Sequence, residues 1–281
     1  MAKPKIQMLG LCRFSYPGDL QAFKHNFQTK ADLRDHLYAD DRINQRFCFF
    51  EHLSVPSLSV QTDTDFKLIV LAGDQMPDHQ KSRLLEICST VPQIEVQFHP
   101  EGQKPRDLCR DVMMASRDAT ADVIGEFRLD DDDAVATEFI ERSRKVISAN
   151  MPIFKEREMM CVDFCRGYVV AFSPDWGVRA VQVTERLWTP GQVICRNPVD
   201  PSSLLDMNHT RVWMHMPVVS VPNRPMFLRG AHSMNDSNLL KRVIKEGQGG
   251  RMRDQTAYRI KTRFNVQPPE LKAAWRALTQ Q

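Results

Sequence analysis

A chain of 281 residues with 42% hydrophobic and 26% charged side chains has the balance of an ordinary globular protein, long enough for one large α/β domain or one domain with an appendage. A net charge of +3 gives no ground for a nucleic-acid partner, and no apolar run approaches the length of a membrane span. The seven cysteines are odd in number and scattered without a C-x-x-C pair, which excludes a disulfide framework or a zinc ribbon and reads as a reducing compartment.

In chain order, residues 6–12 (Ile-Gln-Met-Leu-Gly-Leu-Cys) read as a first strand. The run is too short for the core of a signal peptide and meets Arg13 at once, so a cytoplasmic protein is expected. A long polar and aromatic segment follows at 16–62, with apolar spacing from Phe47 to Leu58 that predicts a helix ending near Pro56. Arg46 and Glu51 stand about one turn apart there, which suits either a surface contact or a site. Residues 65–72 read as a buried strand ending in the turn Gly73-Asp74. Pro77-Asp78 opens a helix with Leu84, Leu85, Ile87, Cys88 and Val91 inward. A short alternating strand at 94–98 precedes a second helix, opened by Pro105, with Leu108, Cys109, Val112 and Met113 inward. The apolar run at 123–129 is the next strand. Strand and helix alternating in this way predict a mostly parallel sheet covered on both faces, with ligands at the carboxyl ends of its strands.

Four aspartates, Asp130 to Asp133, close that strand. Four like charges repel, and no strand end needs so many. Extended backbone alternates its side chains, so Asp130 and Asp132 point one way, Asp131 and Asp133 the other. A D-x-D pair at a strand's carboxyl end can hold a hard divalent cation against a diphosphate. The competing reading is a helix cap: apolar residues at 135, 139, 140, 146 and 147 predict a helix with Asp133 as N-cap and Asp132 beside the positive end of the dipole. Capping accounts for one or two of the carboxylates and leaves Asp130 and Asp131 unexplained.

The second half is less regular. Residues 163–172 predict strands around a turn, and 185–188 with 191–196 another strand pair, antiparallel pieces suited to an acceptor-side wall. Residues 229–238 predict a polar loop around His232, either structural or in contact with a metal or phosphate. Trp176, Trp188 and Trp213 suit either core packing or stacking on sugar rings. Residues 241–281 carry ten Lys or Arg against three Asp or Glu. Such a basic segment suits a peripheral contact with an anionic membrane face, or a solvated helix packed through Leu271, Trp275 and Leu278.

The ordered set Arg13-Phe14-Ser15, Arg46 with Phe50-Glu51, Pro56-Ser57-Leu58 with Gln61-Thr62-Asp63, Arg128-Leu129 with the four aspartates, and Arg229 with His232 resembles the bacterial rhamnosyltransferase family of the GT-A glycosyltransferases. The resemblance is strong to about residue 140 and weak from 155 to 228. It implies a GT-A-like α/β fold: a mostly parallel, Rossmann-related sheet flanked by helices, with antiparallel acceptor-side elements. One domain at 1–240 would divide into a nucleotide-sugar half to about 140 and an acceptor half beyond, with a basic helical extension at 241–281. It implies a metal-dependent transfer of a sugar such as rhamnose from a TDP-, UDP- or GDP-sugar to a glycan, a lipid-linked saccharide or another hydroxyl acceptor, with inversion. By the same resemblance Asp130 contacts the donor ribose, with Asp131 beside it in the donor site. Asp132 and His232 hold Mn²⁺ or Mg²⁺, Asp74 meets the base or ribose, and Arg13 and Arg128 stabilise phosphate charge. Asp163, Glu185 and Asp206 are candidates for the base that inversion requires, with Asp163 preferred. A nucleotidyltransferase acting on sugar phosphates is the rival enzyme class, although its phosphate loop would carry more than the single glycine in Arg13-Phe14-Ser15-Tyr16-Pro17-Gly18. A non-catalytic carbohydrate- or nucleotide-binding protein is the remaining alternative.

Overall fold

Side chains alternate along β1 (Ile6–Arg13): Met8 and Cys12 enter one core cluster, Leu9 and Leu11 another on the opposite face. The same division runs through β2 (Lys67–Gly73), where Leu68 and Val70 face one side and Ile69 and Leu71 the other. A sheet apolar on both faces must be covered on both. In this computed structural model, which describes residues 3–23, 27–234, 239–240, 252 and 254–280, helices supply the cover. Among them α1 (Lys30–Tyr38), α2 (Asp40–Phe49), α3 (Val55–Leu58) and α4 (Asp78–Ser89) lie on the larger core. The helix α5 (Pro105–Ala115) closes the smaller one through Leu108, Cys109, Val112 and Met113.

With β3 (Ile94–His99), β4 (Val123–Arg128), β6 (Met159–Asp163), β9 (Gln192–Arg196) and β10 (Val218–Ser220), the main sheet has the order β10-β6-β9-β4-β1-β2-β3. Strands β1 to β4 run parallel, and β9 lies antiparallel between β4 and β6. The order reverses between β1 and β4, which makes the carboxyl ends of these two strands the crevice where ligands bind in such sheets. A second sheet has the order β5-β11-β7-β8, from β5 (Asp133–Val135), β7 (Arg166–Ser173), β8 (Gly177–Thr184) and β11 (Phe227–Ala231). This is the α/β architecture expected, with antiparallel pieces gathered in the second half.

Several local expectations change. The helix after the aspartates, α6 (Phe139–Ala149), starts at Phe139 with Glu138 before it. Asp133 instead enters β5 and pairs with Arg229 of β11, so the aspartates cap nothing. Strand pairing along the second sheet outweighs capping here. The helix expected to end near Pro56 continues to Leu58, because a π turn at Phe50–Ser54 shifts the bonding pattern just where the proline lacks its N–H. Leu85 faces solvent, and residues 185–188 form a turn that delivers Leu187 to the core rather than a strand. Arg229, Gly230 and Ala231 belong to β11, not to a loop, and Asn235, Asp236, Ser237 and Asn238 lie outside the described residues.

The helices Asp254–Phe264 and Pro268–Thr279 join the larger core through Ile260, Phe264, Leu271 and Trp275. Trp275 donates to the Ser173 carbonyl at 3.0 Å and stacks on Phe49. Most of the basic stretch from 241 to 253 lies outside the described residues. Among the described residues no helix is long and apolar enough to cross a membrane.

Candidate active site

Past the end of β4 the chain turns sharply: Asp133 N–H donates to the Asp130 carbonyl at 3.0 Å. The turn links the two sheets and sends the four carboxylates to four partners. Asp130 receives both ends of the Arg128 fork at 2.8 Å. Asp131, fully buried, is clamped by Arg46, whose Nε reaches it at 2.6 Å and whose Nη2 pairs with its other oxygen. Asp132 meets His232 Nε2 at 3.0 Å. Asp133 accepts the Gly230 N–H at 3.1 Å. A Cβ at Gly230 would come within 2.4 Å of the Asp132 carbonyl oxygen, so only glycine lets β11 approach the turn this closely.

Helix α2 and the π turn hold the other side. Arg42 and Arg46 lie four residues apart on one helical face. Arg42 donates to Ser15 Oγ at 3.2 Å and to the Leu37 carbonyl at 3.0 Å. Ser54, brought in by the π turn, donates to the Asp131 carbonyl at 2.8 Å. Phe49 stacks on His232 with centroids 4.6 Å apart, and Trp275 backs Phe49 in turn. The C-terminal helix thus supports the His232 ring.

Part of this set lines a cavity of about 300 Å³ at the switch in strand order. Arg13, Arg42, Arg46, Arg128 and Arg229 line it, with Asp130 and Asp132 as its acidic groups. The alternation expected of the D-x-D holds: Asp130 and Asp132 face the cavity, Asp131 and Asp133 do not. Burial pushes the Asp130 carboxyl up, but Arg128 and Arg13 outweigh it and hold it below the usual carboxylate range. At Asp133 burial, then Asp132 and Asp130, outweigh Arg229 and the Gly230 hydrogen bond and raise the carboxyl well above that range. The Arg13 guanidinium is lowered by its neighbour Arg128 and by burial, and its Nε is buried without a hydrogen-bond partner. Two adjacent guanidinium groups, one incompletely bonded, form a site that calls for an anion.

His232 is buried, which lowers its pKa although Asp132 raises it. Met234 N–H donates to Nδ1 at 3.3 Å, and Nε2 faces both Asp132 at 3.0 Å and Arg46 Nη1 at 3.1 Å. Asp132 and His232 offer one carboxylate and one imidazole to a divalent cation. No group of three His, Cys, Asp or Glu gathers among the described residues. The pair fits an ion that takes its remaining ligands from substrate phosphates and water, the usual way Mg²⁺ is held.

Four expected site residues are absent from the cavity wall. Asp131 and His232 stand behind it, held to Arg46 and Asp132, which do line it. Asp74 follows β2, its N–H donating to the His99 carbonyl at 2.9 Å. Its charge helps raise the phenol of Tyr16, which lines the cavity, to about 12, with burial the larger cause. Asp163 is fully buried at the end of β6 and accepts the Leu187 N–H at 2.9 Å and the Ser220 hydroxyl at 3.1 Å, so its carboxylate ties β6 to its neighbours. The preference for Asp163 as base finds no support in this placement.

His209 does reach the cavity, and the sequence offered no sign of it. It begins a 3₁₀ helix, His209–Met214, in an irregular stretch where neither periodicity nor a motif marks it. Arg42 and Ser15 also escaped notice as partners, since nothing local pairs residues 27 apart.

Several solved structures are similar to this chain. S. aureus TarS 1–349 is 10% identical, with 80% of this chain and 60% of that chain covered and a TM-score of 0.40. A protein described as "putative nucleotide-diphospho-sugar transferase from Desulfovibrio desulfuricans G20" is 10% identical over 100% of this chain and 98% of that one, at a TM-score of 0.40. The mannosyltransferase PcManGT from Pyrobaculum calidifontis, in complex with GDP-Man and Mn²⁺, is 10% identical over 99% and 70%, at 0.38. The chain thus spans 60% of the length of the TarS fragment. No curated protein matches the sequence. Residues 7–243 match the family described as "Putative rhamnosyl transferase", and the chain belongs to that family.

Proposed function

We propose that this protein is a glycosyltransferase that moves a sugar, rhamnose in keeping with the family, from a nucleoside-diphosphate sugar to a hydroxyl acceptor with inversion at the anomeric carbon. The observation that carries the reading is the Arg13–Arg128 pair beside Asp130 and Asp132, at the carboxyl ends of β1 and β4. Breaking the bond between sugar and diphosphate leaves new negative charge on the leaving group. Guanidinium groups already held in a partly buried cleft stabilise that charge without reorganising, so they favour the transition state over the ground state. Arg128 is fixed by Asp130, and Arg13 has an Nε to offer. Asp130 also has the geometry to accept from a ribose hydroxyl at the cavity wall, and Asp131, clamped by Arg46, anchors the turn from below. Asp132 with His232 would hold Mg²⁺ or Mn²⁺, whose chemistry is to neutralise the diphosphate oxygens. Asp74, just past the end of β2, would meet the base or ribose of a nucleotide extending along that end of the sheet.

The test is a thermal-shift panel of TDP, UDP and GDP and their sugars, each with Mn²⁺ or with EDTA. A ligand at a hundred times its Kd adds about 2.7 kcal/mol, a rise of several degrees for a domain of this size. A metal-dependent rise with one nucleotide, lost in Asp132→Asn, identifies the donor class. No rise with any of them, from folded protein, would overturn the transferase reading in favour of a different ligand.

A further inference from the structure

Inversion needs a group that takes the acceptor's proton, and few groups at the cavity are suited to it. Asp130 is held below the usual carboxylate range by Arg128 and Arg13 against burial, which makes it a poor base, and Asp132 is engaged by His232. The Tyr16 phenol donates to the Pro100 carbonyl at 2.7 Å and stays protonated at neutral pH. Glu126, beneath the wall, is occupied on both oxygens: Arg117 holds one, and the Leu204 N–H with Arg196 the other. His209 is different. Its ring lines the main cavity and a smaller one of about 40 Å³ below it, and makes no hydrogen bond among the described residues. Burial lowers its pKa, and Arg128 and Arg229 lower it further against the opposing Asp130, so the imidazole is neutral near pH 7.

The backbone around it is held. Gln192 Nε2 donates to the His209 carbonyl at 2.9 Å, and Asn208 Oδ1 caps the 3₁₀ helix by accepting the Thr210 N–H at 3.0 Å. Val212 anchors the helix in a core with Cys161, Ile194 and Met216.

We infer that His209, at the start of the 3₁₀ helix His209–Met214, is the catalytic base that takes the acceptor's proton. The inference rests on the transferase reading above. In the step, the acceptor hydroxyl gives its proton to the His209 imidazole while its oxygen bonds to the anomeric carbon. The bond from that carbon to the phosphate oxygen breaks, and its electron pair leaves with the nucleoside diphosphate. The imidazolium so formed faces the new negative charge, and afterwards yields its proton to water.

The experiment uses the full chain with the nucleotide sugar that the thermal-shift panel selects. Wild type and His209→Gln are compared for donor binding, for nucleoside diphosphate release to water or to p-nitrophenyl glycosides from pH 5 to 9, and for the His209 imidazole resonance by NMR. His209→Gln is expected to bind donor as wild type does, to release diphosphate about 10²–10⁴-fold more slowly, and to lose the acid limb of the pH profile. The His209 resonance should titrate below the ordinary histidine range and move upward when the nucleoside diphosphate binds. A His209→Gln profile that keeps the wild-type rate and acid limb, or a resonance indifferent to the nucleotide, would overturn the assignment while leaving donor binding intact. Absence of donor binding in wild type would instead sink the transferase reading, and this inference with it.

Discussion

Two buried charge clusters sit on the same strand, β4, and behave oppositely. At Glu126 the charges close on themselves: Arg117 reaches one oxygen at 3.1 and 2.6 Å, Arg196 lies 3.2 Å from the other, and the Leu204 N–H completes it at 2.9 Å. The two arginines continue into Asp200 and the Ser202 carbonyl and hydroxyl, so the cluster staples residues 200–204 to the sheet. Two residues on, Arg128 opens the second cluster, where five guanidinium groups line a cavity with two aspartates. Burial alone therefore does not distinguish scaffold from site. The distinguishing feature is charge balance: Arg117 and Arg196 are matched by Glu126 and Asp200, whereas an excess of one sign around a cavity is stabilised only when a ligand arrives.

The comparison breaks most readily at Glu126. Glu126→Ala removes the carboxylate that Arg117 and Arg196 share, leaving Arg117 without a carboxylate and Arg196 with Asp200 alone, and should cost about 3–5 kcal/mol, read as a fall in the urea midpoint. A loss within half a kcal/mol would mean that this cluster is not a staple. Next in size is Asp132→Asn, expected to lower transfer roughly a hundredfold while the urea midpoint hardly moves. Matching losses of stability and rate would place Asp132 in the scaffold instead. Arg13→Met removes a charge that repels Arg128, so the fold should be as stable as wild type or more so. Its nucleotide affinity should drop by about 1.5–3 kcal/mol, roughly ten- to a hundredfold, in a calorimetric titration. Unchanged affinity would remove Arg13 from the phosphate site.

The smallest effect concerns Asp163 and is a matter of pH. Burial raises its carboxyl despite the Leu187 and Ser220 hydrogen bonds, so the folded chain retains a proton that the unfolded chain releases at about pH 3.9. Stability from this group is present below that pH and declines as pH rises through the folded pKa. Asp163→Asn should flatten that decline and leave transfer intact. A variant that folds but has lost transfer would return Asp163 to the list of bases.

What the sequence by itself determined is the part of the fold governed by near neighbours. Strand and helix alternation through residue 128 follows from apolar spacing at periods of two and 3.6, and these spacings survive in β1 to β4, α4 and α5. The prominence of Asp130 to Asp133 is likewise local, as is the opposition of Asp130 and Asp132 to their neighbours, since it needs only the pleat of the chain. Tertiary structure decided which cations those aspartates meet. Arg46 reaches Asp131 across 85 residues and His232 reaches Asp132 across 100, distances over which periodicity carries no information. It also decided that Asp133 joins a strand rather than a helix cap, because pairing with β11 offers it partners that the local chain lacks. Asp163 and His209 show the same limit from both sides. A carboxylate suited to be a base was enclosed by β6 and β10, and an unmarked histidine was carried to the cavity by a 3₁₀ helix anchored in another core. Reactivity depends on exposure and on neighbouring charge, and both are properties of packing between segments far apart in the chain.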